Sequence, residues 1–182
     1  MGHGLKPKQQ GVHVVFAAGT GVLCFVDLVA AIAQYLVDIR RRGSSINSND
    51  QQTLVSSNNF EINWDQFELH LYASFPRRSE SIAVELFEAL DAFCKREQRN
   101  NFKLFLRLSQ ENVNPQRWDA DFIQQEVKKL GAKNIARLWV CGPPVMNETF
   151  DRVFSSNAPD GAGVGGNNEA EGLLGNTLLS PE

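Results

Sequence analysis

Apolar positions along this chain switch between two spacings. Val12–Ala18 is a short apolar run that ends in Gly19-Thr20-Gly21. From Leu23 to Arg41 the residues Phe25, Leu28, Val29, Ile32, Leu36 and Ile39 recur on one helical face. Arg40, Arg41 and Arg42 then precede Gly43, and cations and glycine suit the end of a helix, where the last carbonyls lack partners. Phe67–Ser74 is a second strand, stopped by Pro76. Ser81–Glu97 is predicted as a helix with Ile82, Leu86, Leu90, Phe93 and Cys94 inside, and Glu85, Glu88, Asp91 and Lys95 on a solvated outer face. Asn100 and Asn101 break it, and Phe102–Leu108 is a third strand. Asp119–Leu130 is a third helix, with Gly131 as its stop. Ile135–Val140 is a fourth strand, and Cys141-Gly142-Pro143-Pro144 opens a last helix that runs to about Phe154. Proline is tolerated in a first helical turn because the N–H it lacks has no partner there.

Strands that alternate with helices predict an α/β fold. The expected form is a three-layer, Rossmann-like parallel sheet of four to five strands with helices on both faces. Two stretches fall outside it. Residues 43–66 are rich in Ser and Asn and read as a mobile insertion loop. Residues 155–182 carry six glycines, four acids, no base and no aromatic, and read as a disordered tail. The ordered domain is expected over 2–154.

Composition narrows the function. With 182 residues, 42% of them hydrophobic, the chain has room for one well-formed core. Its 18 basic residues face 21 acidic ones, so no broad basic field exists and no nucleic-acid partner is expected. Three widely spaced cysteines support neither a disulfide framework nor a zinc site, and suit a reducing compartment. The histidines His3, His13 and His70 are scattered, and no metal site is expected. The apolar run Val22–Val37 is interrupted by Asp27 and Gln34 and falls short of a span of about 20 apolar residues, so no direct membrane insertion is expected.

Parallel sheets bind ligands outside the carboxyl ends of their strands. After the first strand, Gly19-Thr20-Gly21 allows a tight turn and a close backbone approach, with a helix N-terminus behind it suited to a pyrophosphate. The fuller glycine fingerprint asks for Gly near position 24, where this chain has Cys24. After the second strand come Ser74, Arg77 and Arg78, and after the third Ser109, Gln110, Arg117 and Trp118. After the fourth come Cys141, Gly142, Pro143, Pro144 and Met146.

Gly-Thr-Gly after the first strand and Cys-Gly-Pro-Pro-x-Met after the fourth resemble the NAD(P)-binding domain of the ferredoxin–NADP reductase superfamily. That group includes ferric reductases and NADPH oxidases. Gly2-His3-Gly4-Leu5 also looks like that family's link to its flavin barrel. The resemblance implies that Gly19, Thr20 and Gly21 lie under the pyrophosphate and ribose of a nicotinamide dinucleotide. It implies that Cys141, as the catalytic-site residue, and Gly142 flank the nicotinamide ring. Pro143, Pro144 and Met146 would shape that wall. Ser74, Arg77, Arg78, Ser109, Gln110, Arg117 and Trp118 would surround the adenosine end, with Trp118 stacked on adenine. Arginines in place of an acid favour NADPH over NADH. Gln110 replaces an arginine of the family scheme, and the proline that often follows Gly-Thr-Gly is missing.

The chemistry so implied is hydride transfer to FAD, which a separate flavin-binding domain holds. The chain carries no Arg-x-Tyr-Ser/Thr flavin motif. It reads as a domain of a larger flavoprotein, on the cytosolic side of a membrane-anchored parent. The shortened sheet is expected to leave an open edge beside the fourth strand. A second reading, an interaction or regulatory module that keeps the fold without tight dinucleotide binding, is compatible with Cys24, Gln110 and that shortened sheet.

Overall fold

The computed structural model describes residues 10–43, 62–111, 118–131 and 134–155. The Gly2–Leu5 segment, most of the 43–66 loop, Arg117 and the tail beyond 155 lie outside the described residues. Among the described residues four strands form one sheet: β1 (Gly11–Ala18), β2 (Phe67–Phe75), β3 (Phe102–Leu108) and β4 (Ile135–Cys141). All pair in parallel, in the order β3-β2-β1-β4. Four helices alternate with them: α1 (Val26–Gly43), α2 (Val84–Arg96), α3 (Ala120–Leu130) and α4 (Pro144–Ser155).

The strands read as apolar runs because both faces of the sheet are covered. Val15, Ala17, Leu69, Leu71, Ala73 and Trp139 pack with Phe25, Val29, Ile32 and Leu36, and with Val84, Phe87 and Leu90 of α2. Val14, Phe16, Tyr72 and Leu138 pack on the other face with Ile123, Phe150 and Val153. This is the three-layer arrangement expected from the alternation. The chain winds outward from β1 through β2 to β3, then crosses by α3 to β4 on the far side of β1. A switch point therefore lies between β1 and β4, where such folds open a crevice at the strands' carboxyl ends.

Three local expectations change. The segment after β1 is a 3-10 helix over Gly19–Phe25, and it runs directly into α1. The continuous helical stretch Gly19–Arg41 is thus 23 residues long, and its length and composition suffice to cross a membrane, against the shorter apolar run expected. In the fold one stripe of it, Phe25, Val29, Ile32 and Leu36, is buried against the sheet.

Helix α2 starts at Val84, and most of its expected inner face holds: Leu90 and Cys94 are buried, and Ile82 and Phe93 pack on the core. Val84, Phe87, Leu90 and Cys94 are buried, while Leu86 is 39% exposed. Ala83 adopts a left-handed conformation just before the helix. Asp91 departs from the expected solvated face. It is buried, and its Oδ1 accepts the backbone N–H of Leu104 at 3.1 Å on edge strand β3. Lys95 donates to its other oxygen at 2.5 Å. The carboxylate thus occupies an edge N–H that another chain could otherwise pair with.

The described end of the 43–66 segment is packed. Ile62 and Trp64 lie on the core, and Trp64 stacks on Tyr35 with centroids 5.6 Å apart. Buried Asn101 holds this segment by donating to the carbonyls of Trp64 at 2.5 Å and Phe67 at 3.1 Å.

Under α3 lies a polar group. The Tyr72 hydroxyl donates to Glu126 Oε2 at 2.8 Å, and burial with this carboxylate raises the phenol well above its ordinary range. Nearby, His70 Nε2 contacts Glu68 Oε2 at 3.2 Å, and Lys103 Nζ reaches the same oxygen at 3.3 Å. Burial lowers the His70 pKa from its ordinary 6.5, partly offset by its bond to Glu68, while Lys103 lowers it further. The unfolded chain therefore binds this proton at a pH where the folded chain does not. Stability is expected to fall as pH drops through 6.5, and the slope to vanish below the folded-state pKa. Denaturant unfolding of wild type and His70→Phe between about pH 7 and pH 5 reads this, with a shallower slope in the variant.

Candidate functional site

The turns after β1 and β4 meet at the switch point. Ala17 is the register partner of Cys141, so the two strands end side by side. Gly21 then sits directly on the β4 turn. A Cβ at Gly21 would overlap the Cys141 carbonyl oxygen, 2.8 Å from the carbonyl carbon and 3.1 Å from Sγ. Only a residue without a side chain fits. Gly142 is similarly close to β1, where a Cβ would come within 3.2 Å of Ala18 Cβ and 2.7 Å of Met146 Sδ. Gly19 differs from both. Its φ of 55° is left-handed, and a Cβ there would meet nothing within 4 Å. A side chain there would point into open space.

Pro144 is the first residue of α4, as its missing N–H favours. The carbonyl of Pro143 accepts from Met146 N at 2.9 Å and Asn147 N at 3.3 Å, which fixes the turn into the helix. Cys141 is half-buried and packs against the α1-side core. Its Sγ lies 3.7 Å from that of Cys24. Burial first, and then Cys24, push the Cys141 thiol up to about 11, so it is a neutral thiol at physiological pH. It forms an uncharged wall, and with little thiolate present it reacts slowly as a nucleophile.

A second cluster lies one and two strands further along the same rim. Ser74 is the register partner of Ala18, and Arg107 of β3 is the register partner of Ser74. Arg107 Nη1 donates to Ser74 Oγ at 3.0 Å. The Arg107 guanidinium also lies 5.9 Å from the centre of the Trp118 ring. Trp118 packs edge-on against Phe16 with centroids 5.4 Å apart, which fixes its plane. Cys141, Ala17–Ala18, Ser74 and Arg107 thus span four adjacent strands, about 14 Å across the rim at strand spacing.

The remaining candidates are placed less centrally. Arg78 is held by Glu88, with Nη1 to Oε1 at 2.9 Å and Nη2 to Oε2 at 2.5 Å. Its backbone N–H donates to Glu111 Oε1 at 2.6 Å. Arg77 is exposed, 4.0 Å from Glu80. Ser109 and Gln110 donate their backbone N–H groups to the carbonyls of Phe75 and Pro76, each at 2.9 Å, and so tie the turn after β3 to the end of β2. Arg117 lies outside the described residues.

Two residues of the site were missed from sequence. Arg107 lies inside a strand, whereas the ligand-binding positions that sequence marks in a parallel sheet follow the strands. Strand parity carried the signal, since Arg107 shares a face with Phe105 at the last turns of β3. Cys24 was noticed only as a departure from a glycine pattern, and its nearness to Cys141 depends on the 3-10 stretch.

A parallel sheet wound in both directions from its first strand, with helices on both faces, is a Rossmann-like architecture. No known protein family and no curated protein matches the chain. Solved structures do. One is a point mutant of ferredoxin-NADP+ reductase from Plasmodium falciparum in complex with 2'P-AMP, at 12% identity and TM-score 0.50, covering 81% of this chain and 49% of that one. The ferredoxin-NADP+ reductase from the same organism matches at 13% identity and TM-score 0.48, covering 81% and 47%. The cytochrome b5 reductase domain of Ulva prolifera nitrate reductase matches at 14% identity and TM-score 0.42, covering 81% and 44%. The chain spans about half the length of these proteins. The first likeness shows that the chain shares the fold of about half of a ferredoxin-NADP+ reductase.

Proposed function

We propose that this chain binds a nicotinamide dinucleotide, NADPH in preference to NADH, and presents its nicotinamide to FAD held by a separate flavin-binding domain. The observation that carries this reading is the seating of Gly21 on Cys141, which brings two turns, far apart in sequence, to one rim. The open space at Gly19 leaves room for a pyrophosphate against the backbone. At the other end, Arg107 and Ser74 offer a guanidinium and a hydroxyl to a 2′-phosphate, beside Trp118 for adenine. The Plasmodium protein with 2'P-AMP is a precedent for such a ligand on this fold.

When bound, the dinucleotide supplies the hydride and the flavin accepts it. The chain's own residues bind and orient. The Gly19–Gly21 turn holds the middle of the ligand, and Gly142 lets the β4 chain turn beneath the nicotinamide. Cys141 lines that pocket as a neutral thiol, which adds no charge beside a ring whose charge changes during transfer. Pro143, Pro144 and Met146 keep the wall stiff and apolar.

Calorimetric titration with 2′-phospho-AMP, AMP, NADPH and NADH tests the reading. Micromolar binding of 2′-phospho-AMP and NADPH, with AMP and NADH at least about tenfold weaker, is the expected result. Affinity weaker than millimolar for all four overturns it and favours a non-catalytic interaction module.

A further inference from the structure

The switch-point rim carries a feature that hydride transfer does not require. Cys24 projects from the 3-10 stretch after β1, and Cys141 ends β4. Their sulfurs are 3.7 Å apart although the residues are separated by 117 positions. The approach is built into the backbone, because Gly21 rests on the Cys141 carbonyl and leaves no slack between the two turns. A disulfide needs about 2.05 Å between sulfurs, so closure asks for a further approach of about 1.7 Å. The two thiols differ in access. Cys24 is exposed and Cys141 half-buried, while the third cysteine, Cys94, is buried on α2.

We propose that Cys24 and Cys141 form a peroxide-oxidised, thiol-reduced disulfide site that locks the β1 and β4 turns together. The exposed Cys24 sulfur attacks the O–O bond of hydrogen peroxide. An S–O bond forms, the O–O bond breaks, and the leaving hydroxide departs as water with the thiol proton. Cys24 is then a sulfenic acid, oxidised by two electrons, and the peroxide is reduced by two. The Cys141 sulfur next attacks the Cys24 sulfur. The S–S bond forms, the S–O bond breaks, and the hydroxyl leaves as water with the Cys141 proton. An external dithiol reverses the bond by exchange and is itself oxidised to its disulfide. Such reversible pairs are the form disulfides take in a reducing compartment.

The consequence for binding rests on the proposed nucleotide function. The S–S bond would span the crevice that the pyrophosphate and nicotinamide enter. Oxidation is expected to weaken NADPH binding by at least about tenfold, and reduction to restore it.

The test uses the full chain, treated with hydrogen peroxide, quenched, alkylated under denaturing conditions and mapped by mass spectrometry. The expected product is a monomer with a Cys24–Cys141 crosslink, Cys94 alkylated, and full reversal by dithiothreitol. Cys94→Ser should give the same crosslink. Cys141→Ser should leave Cys24 as a sulfenic acid that dimedone traps. If wild-type Cys24 passes instead to sulfinic acid or to intermolecular dimers with no link to Cys141, the site is overturned. Calorimetry with NADPH on both redox forms separates this from the functional reading. A crosslink that forms while the reduced protein binds no NADPH sustains the thiol site and removes the nucleotide function. Equal affinity in both forms overturns the locking role.

Discussion

Gly21→Ala is expected to lower stability by about 3 kcal/mol, the upper end of the cost of overpacking. For a chain of this size that is a fall in thermal midpoint of roughly 6–12 °C. The reason is the nature of the obstacle. The added methyl would meet the carbonyl of Cys141, which is backbone at the end of a sheet strand and has no rotamer to yield. Gly142→Ala meets mainly Met146 Sδ, the flexible part of a side chain, and should be milder. Gly19→Ala is instructive in another way. It meets no atom, and its cost is the left-handed backbone, about 1 kcal/mol. Its methyl would nevertheless occupy the open mouth of the crevice, so it should lose nucleotide affinity while staying folded. Thermal melts followed by circular dichroism, paired with NADPH titration, separate the two effects. A Gly21→Ala midpoint within about 2 °C of wild type would show that the β1 and β4 turns are not in contact.

Arg107→Leu should weaken 2′-phospho-AMP binding by about 10–100-fold and leave AMP within about threefold of wild type. Loss of a hydrogen bond to a charged group costs about 1.5–3 kcal/mol, and each 1.4 kcal/mol is tenfold in affinity. The selectivity is the informative part. Arg107 is positioned by Ser74 and flanked by Trp118, so its planar fork is fixed before any phosphate arrives. Arg107→Lys keeps charge without the fork and should recover only part of the affinity. Arg78 is occupied by Glu88, and Arg78→Leu should change 2′-phospho-AMP binding far less. Equal losses of AMP and 2′-phospho-AMP in Arg107→Leu would remove its role in reading the phosphate.

Much of the architecture was legible in the residues. The strand ends agree within one residue, because strands covered on both faces are mostly apolar and are followed or preceded by Gly, Pro or Asn. The meeting of Gly19–Gly21 with Cys141–Gly142 was legible too, since a sheet that winds both ways from its first strand brings those turns to one crevice. What escaped was tertiary. In α2, Val84 and Phe87 join the expected inner face and Leu86 leaves it, because the sheet beneath decides which neighbours of an apolar stripe are covered. Asp91 looked like one charge in an alternating outer face because its partner, the N–H of Leu104, lies 13 positions away on an edge strand. Arg107 was hidden inside an apolar strand, and its meaning depends on Ser74 and Trp118 arriving from other elements.

The most direct measurement is a backbone amide shift map of the labelled chain titrated with NADP+. The largest shifts are expected at Gly19, Thr20, Gly21 and Gly142, with a second group at Ser74, Arg107 and Trp118. Saturation without movement at Gly19–Gly21, or shifts confined to a distant face such as the outer side of α2, would contradict a dinucleotide held between the β1 and β4 turns.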